Sequence, residues 1–205
     1  MTVRSLALAP PAATTATAPP VSDAHAALAA KAASGDRAAF GAIYEAFADP
    51  VYARLTRLLG PTADRDDALQ QVFLQLHRAL GSYRGDASLS TFVYRITVNV
   101  AYDVLRVRQR RPEPAEPVDV EAMLAGAPSP ADGAEHREEL AQLLEHMTWL
   151  TPDKRIALVL VAVEGLSLRE AAKLVDATPD AVKQRVLSAR KELLARTRSG
   201  DRRIP

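Results

Sequence analysis

Apolar residues recur along this chain at intervals of three and four, the period of a helix with one buried face. Leu69, Val72, Phe73, Leu76 and Leu80 form one such stripe, with Thr62 as a candidate cap before it and Gly81 as its stop. Upstream, a short helix is expected between Ser22 and Gly35. Asp36 then caps a segment in which Phe40, Ile43, Tyr44 and Phe47 share a face. Pro50 is expected to break or kink that segment, and a continuation runs to a stop at Gly60. Beyond the loop 82–88, Leu89 to Arg111 reads as one helix of roughly 35 Å. Its core seam is Val93, Ile96, Val100 and Val104.

The pattern then stops. Residues 112–134 hold five Pro, five acids and no cation, the composition of a flexible linker. Periodicity resumes with Leu140, Leu143, Leu144 and Met147 on one face. Thr151 and Pro152 open the next segment as a cap and first-turn pair. Its run "ALVLVAV" is apolar enough for a strand, but the cap and the lack of partner strands favour a buried helix. Ser167 with Glu170 forms a capping box ahead of Leu168, Ala171, Ala172 and Val175. Thr178 and Pro179 open a last helix striped by Val182, Val186, Ala189 and Leu193. The expected fold is all-α, with two small helical domains at 22–111 and 135–198. The linker 112–134 joins them, and tails lie at 1–21 and 199–205. The first tail is Ala-, Pro- and Thr-rich and is expected to be disordered.

Composition sharpens this in three places. Only 5% of the 205 residues are aromatic while Ala is abundant, which favours helix over sheet. Cysteine is absent, which removes disulfides, thiolate metal sites and thiol nucleophiles. No apolar run approaches the roughly 18 residues needed to cross a bilayer. The start of the chain, broken by Pro10 and Pro11, is a poor secretory signal. A cytoplasmic protein without membrane insertion is expected. The net charge of +1 matters less than its distribution.

Cations gather in two places. From Lys183 to Arg203 there are eight Lys or Arg against two acids. A lone cationic hairpin is ordinarily a solvated surface. Here two capped helices joined by a short turn, the second carrying that excess, describe a helix-turn-helix. Lys183, Gln184, Arg185, Ser188 and Lys191 lie off the apolar stripe and suit base edges in a major groove. The helix before the linker carries a second stripe of Phe92, Arg95, Asn99, Tyr102 and Arg106, continued by Arg108, Arg110 and Arg111. Tyr83 and Arg84 stand in the adjoining loop. Phe92 alone is better suited to a core than to a base. Aromatic, amide and guanidinium groups together suit unpaired bases and phosphate.

"DDALQQVFLQLHRAL", "STFVYRITVNVAYDVLR" and "LTPDKRIALVLVAVEGLSLREAAKLVDATPDAVKQRVLSARKEL", in this order, resemble the extracytoplasmic-function, or group 4, sigma factors of the sigma-70 family. The resemblance spans 36–111 and 135–196. It implies a sigma-2 domain, a sigma-4 domain, and promoter-specific initiation with bacterial RNA polymerase core. Tyr83, Arg84, Phe92, Arg95, Asn99, Tyr102, Arg106, Arg108 and Arg110 would then serve the −10 element. Lys183, Gln184, Arg185, Ser188 and Lys191 would read the −35 element. Asp67, Gln70, Gln71, Leu74, Gln75 and Arg78 would meet the β′ clamp helices, and the second domain the β flap. An anti-sigma factor is an expected partner, and no cofactor is called for. Three positions depart from the family pattern. Asp176 stands at a turn position where Gly is common, Ala181 where Thr is common, and Gln71 where an acid is usual.

The nearest alternative is a helix-turn-helix regulator binding an operator without joining polymerase. It accounts for 135–203 and leaves the Arg-aromatic helix and the stretch from Asp66 to Leu80 without a role. An enzyme is disfavoured by the lack of P-loop, GxSxG and HExxH motifs. Asp64, Asp66 and Asp67 suit a helix N-terminus, where the macrodipole favours acids.

Overall fold

A computed structural model describes residues 23–60, 62–85, 87–110 and 146–199, and all that follows concerns these. The expected tails, the linker and the stripe Leu140–Leu143–Leu144 lie outside them. The described residues are helical throughout their regular elements, with no strand.

Four helices make the amino-terminal domain: α1 (Asp23–Ala33), α2 (Arg37–Leu59), α3 (Asp64–Leu80) and α4 (Leu89–Arg110). Asp36 caps α2 as its sequence position implies, its Oδ1 accepting from the amides of Ala38 at 2.9 Å and Ala39 at 3.1 Å. Pro50 neither breaks α2 nor divides it, and the helix runs through for 23 residues. A proline deprives the carbonyl four residues earlier of its partner. Here Ala46 and Pro50 are both exposed, so the proline lies on the solvent side of the helix rather than in the core. Gly60 stops α2 at φ +78°, a conformation that favours glycine. Thr62 does not cap α3 through its side chain. Ala63 is the cap residue without a side-chain bond, and the Thr62 hydroxyl is taken by Arg108.

Most positions of the predicted stripes are core, but Tyr44 of the α2 stripe is 44% exposed and Phe40 and Leu69 are half-buried. Ile43, Val51 and Leu55 of α2, Val72, Leu76 and Leu80 of α3, and Val93 and Val100 of α4 are buried together. Val104 is half-buried, and Leu105 takes the buried place beside it.

The carboxy-terminal domain contains α5 (Pro152–Leu158), a π-helical segment (Val159–Val163), α6 (Leu168–Leu174) and α7 (Pro179–Ser199). The run "ALVLVAV" is helical, as its cap implied, with Ile156, Ala157, Leu158, Val159 and Leu160 buried. Its last turn widens, so that the amide of Glu164 bonds the carbonyl of Val159 at 2.9 Å. That extra residue per turn re-aims Glu164. The capping box of α6 forms completely, with Ser167 and Glu170 bonded in both directions. In the turn between α6 and α7, Asp176 adopts φ +48°, the only positive φ among described non-glycine residues. This is the place where glycine is common, and Asp tolerates the left-handed region better than most residues. Val182, Val186, Ala189 and Leu193 of α7 are all buried.

The capping box carries a prediction. Ser167 hydrogen bonds hold the Glu170 carboxyl below its ordinary range. A depressed carboxyl contributes stability above its unfolded pKa and loses it as pH falls through the folded one. Ser167→Ala should cost about 0.5–2 kcal/mol near neutrality. In chemical unfolding, the gap between wild type and variant should narrow as the solution is acidified through the carboxylate range.

Candidate nucleic-acid interface

On α4, Arg95, Asn99, Arg106 and Arg110 are exposed and fall within about 60° of one another around the helix. Asp103 is exposed next to them. At the start of this face Tyr83 and Phe92 pair, ring centroids 5.1 Å apart, and the Tyr83 hydroxyl donates to the carbonyl of Ala87 at 2.6 Å. That bond shapes the loop, from which Arg84 projects exposed. The result is a ridge of guanidinium groups and one amide, with a half-buried aromatic pair at one end.

Two residues of the expected set are drawn away from this ridge. Arg108 donates to Asp64 Oδ2 at 2.6 Å, to the Leu59 carbonyl at 3.1 Å and to the Thr62 hydroxyl. It closes the turn between α2 and α3 and is committed to the fold. Tyr102 turns toward the carboxy-terminal domain and donates to Asp153 Oδ1 at 2.5 Å. Burial, then the Asp153 contact, raises its phenol above the ordinary value, so it stays a donor.

On α7, Lys183, Gln184 and Lys191 are exposed on the side away from the buried stripe. Arg185 and Ser188 lie on a flank. Arg185 Nη2 stands 3.1 Å from Asp153 Oδ1, and the Ser188 hydroxyl faces Glu192. Sequence reasoning missed Leu187, which is 50% exposed and sits between Lys183 and Lys191 on the outer face, with Arg190 beside it. The signal was present, since Leu187 falls outside the stripe of Val182, Val186, Ala189 and Leu193.

On α3, Asp67, Gln70, Gln71, Leu74 and Arg78 are exposed and Gln75 is half-exposed. Their spacings of 3, 1, 3, 1 and 3 make a single ridge opposite the core stripe. Leu74 is its apolar centre at 52% exposure.

A further set of groups joins the two domains, and no local pattern marks it. Tyr94, Val98 and Tyr102 form an additional stripe on α4 at i, i+4 and i+8. Arg54 lies over the Tyr94 ring at 3.7 Å, and Arg54 and Arg57 both pair with Glu164 of the carboxy-terminal domain. The Tyr94 hydroxyl is buried without a partner among the described residues. Arg155 of α5 is 3% exposed and donates to the carbonyl of Leu58 at 2.8 Å.

Two exposed cationic helical faces, one on each domain, fit the class of helical transcription factors. Comparison with known proteins places the chain within that class. Residues 43–111 match the family description Sigma-70 region 2, and residues 137–193 match Sigma-70, region 4. The chain is 32% identical over 166 residues to the ECF RNA polymerase sigma-E factor of Escherichia coli K12, covering 78% of this chain and 86% of that one. Among solved structures it resembles CnrH in complex with the cytosolic domain of CnrY, at TM-score 0.58 and 28% identity, over 87% of this chain and all of that one. It shares the fold of the sigma factor RpoE from Bartonella quintana, solved with the anti-sigma factor NepR. That match has TM-score 0.52 and 19% identity, over 75% of this chain and 93% of that one. The chain belongs to the sigma-70 family and, within it, to the extracytoplasmic-function sigma factors. It is a promoter-specific transcription initiation factor. No helix of the described residues is long and apolar enough to cross a membrane.

Proposed function

We propose that this sigma factor divides its work among three ridges, in the cytoplasm and without a catalytic centre of its own. The α3 ridge centred on Leu74 docks on the β′ clamp helices of core polymerase. The α4 ridge of Arg95, Asn99, Arg106 and Arg110, with Arg84 and the Tyr83–Phe92 pair, holds the −10 element. Its cations take the backbone, and the aromatic pair receives an unpaired base. Lys183, Gln184, Leu187 and Lys191 read the −35 element as duplex, and Arg185 and Ser188 flank that face. In this arrangement residues 22–111 and 135–198 act as separate DNA-binding domains across the tether 112–134. Core polymerase, promoter DNA and an anti-sigma protein are the partners. CnrH and RpoE were each solved with a bound protein, which favours the last of these.

The observation that carries this reading is the pair of exposed cationic faces, one on each domain, in the order of the sigma-70 regions. Gln184 is exposed at the first turns of α7, where a recognition helix meets base edges. A bidentate contact there is worth about 1–3 kcal/mol of discrimination. Gln184→Ala should therefore relax sequence preference in the upstream element and leave the downstream element unchanged, measured by initiation from a randomised promoter library. Unaltered upstream preference would move the reading face off Gln184.

A further inference from the structure

One flank of α7 is turned toward the first turn of α5. We propose that this turn is a brace that sets the register of α7. Asp153 and Lys154 hold Arg185 and Glu192, and so fix where the outer face of α7 meets duplex DNA. Arg185, Ser188 and Glu192 are then positioning residues and do not read bases. This rests on the assignment of the α7 face to the −35 element.

Arg185, Ser188 and Glu192 follow one another at spacings of three and four, a single stripe beside the outer face. Each is engaged. Arg185 Nη2 stands 3.1 Å from Asp153 Oδ1, and Lys154 Nζ pairs with Glu192 Oε1. The Ser188 hydroxyl donates to the same Glu192 oxygen at 3.4 Å. Tyr102 of the other domain also donates to Asp153 Oδ1, but the four charged groups of the brace all belong to the carboxy-terminal domain. Two neighbouring residues of α5 thus grip α7 at points about 10 Å apart along its axis. The charges alternate. The acid of α5 meets a cation of α7, and the cation of α5 meets an acid.

The apolar seam of α7 does not set this register alone. Val182, Val186, Ala189 and Leu193 are buried, but they recur with every turn, and apolar contact is non-directional. Charge separates the alternatives. A slide of α7 by one turn sets Asp153 against Ser188 or Ala181, and Lys154 against Arg196 or Ser188. Neither slid register keeps an ion pair. The four charged side chains are 26–42% exposed, and pairs this open to solvent add little to stability. Their effect is on the choice of register, a role polar pairs play where apolar contacts do not discriminate. The consequence falls on DNA. One helical turn is about 5 Å, more than the roughly 3.4 Å between successive base pairs. A slid α7 would therefore bring Gln184 and Lys191 to the wrong base pair.

The test uses holoenzyme on a promoter library randomised in the upstream element. Asp153→Arg sets two cations together, and Arg185→Asp sets two acids together. Each should cost about five-fold or more of upstream discrimination, spread over several adjacent base pairs. Asp153→Arg combined with Arg185→Asp restores opposite charges and should restore the wild-type preference. A guanidinium that read DNA would not be replaced in this way, because a carboxylate would stand in its place. Arg185→Gln should leave the salt dependence of duplex binding by the full chain unchanged, whereas Lys191→Gln should lower its slope by about one. Trp149, the single tryptophan, gives a reading independent of DNA. Its ring lies 5.0 Å from the Arg196 guanidinium near the end of α7. Acrylamide quenching of Trp149 should rise in Asp153→Arg and in Arg185→Asp and return to the wild-type value in the combined variant. Lost preference at one base pair only, failure of the combination to restore it, a slope lowered by one in Arg185→Gln, or unchanged quenching in the single variants would each overturn the brace. The quenching pattern without any upstream preference in the wild type would leave the brace standing and remove the −35 assignment of α7 instead.

Discussion

Leu74→Asp should strongly weaken assembly on core polymerase while leaving the protein folded. Leu74 is half exposed on α3, so the change opens no cavity and buries no charge in the free chain. The core side of the same helix, with Val72, Phe73 and Leu76, is untouched. In the assembled state its role reverses. An apolar side chain centred in a ridge of Gln70, Gln71, Gln75 and Arg78 is the group expected to fill a partner's pocket, with the polar residues excluding water around it. Central anchors of this kind cost about 2 kcal/mol or more when truncated. A buried carboxylate adds its own desolvation. Loss of roughly 30-fold or more in affinity for core is expected. The helical circular dichroism and the unfolding midpoint should stay near wild type. Wild-type affinity for core would remove the α3 ridge from the polymerase contact.

Leu76→Ala, two residues along, should do the opposite. Leu76 is fully buried against α2 and α4. Truncation removes three carbons from a packed interior and leaves a cavity, which costs about 2–5 kcal/mol. For domains of this size that corresponds to a fall of roughly 10 °C or more in unfolding midpoint. Because α3 is half of the wall on which the Leu74 ridge is mounted, core binding should fail with it, but only at temperatures where the domain has melted. Thermal unfolding followed at 222 nm separates the two variants. Leu74→Asp leaves the midpoint and loses binding, and Leu76→Ala loses the midpoint and retains binding in the cold.

The contrast between these neighbours was readable from the sequence, because it depends on helical period alone. The cap at Asp36, the Ser167–Glu170 box and the helix-turn-helix were readable too, while the left-handed Asp176 was expected only through the family resemblance. The readable features each rest on residues within a few positions of one another. What escaped depends on solvent or on distant parts of the chain. Pro50 was expected to break or kink α2, and no break occurs: the helix runs through it, with Ala46 and Pro50 on the exposed side. Thr62 was expected to cap α3, but Arg108, 46 positions away, takes its hydroxyl. No spacing rule announces the π turn at Val159–Val163. Asp153, Arg155 and Glu164 carry no local pattern that marks them. Their partners are the end of α2 and the outer stripe of α4, brought near only by docking of the domains. Of the candidate interface residues, the α3 ridge stands together as the pattern implied. Tyr102, Arg108, Arg185 and Ser188 are each held by another residue of this chain, and Leu187 joins a face from which apolar residues had been excluded.

The account is tested most directly by reconstituted transcription. Purified core polymerase and this protein should be combined on a library of promoter-length duplexes, and the 5′ ends of the transcripts sequenced. The expected result is a small set of sharp start sites, each preceded by the same pair of spaced elements, which disappear when Leu74→Asp replaces the wild type. Transcripts no different from those of core alone would contradict it.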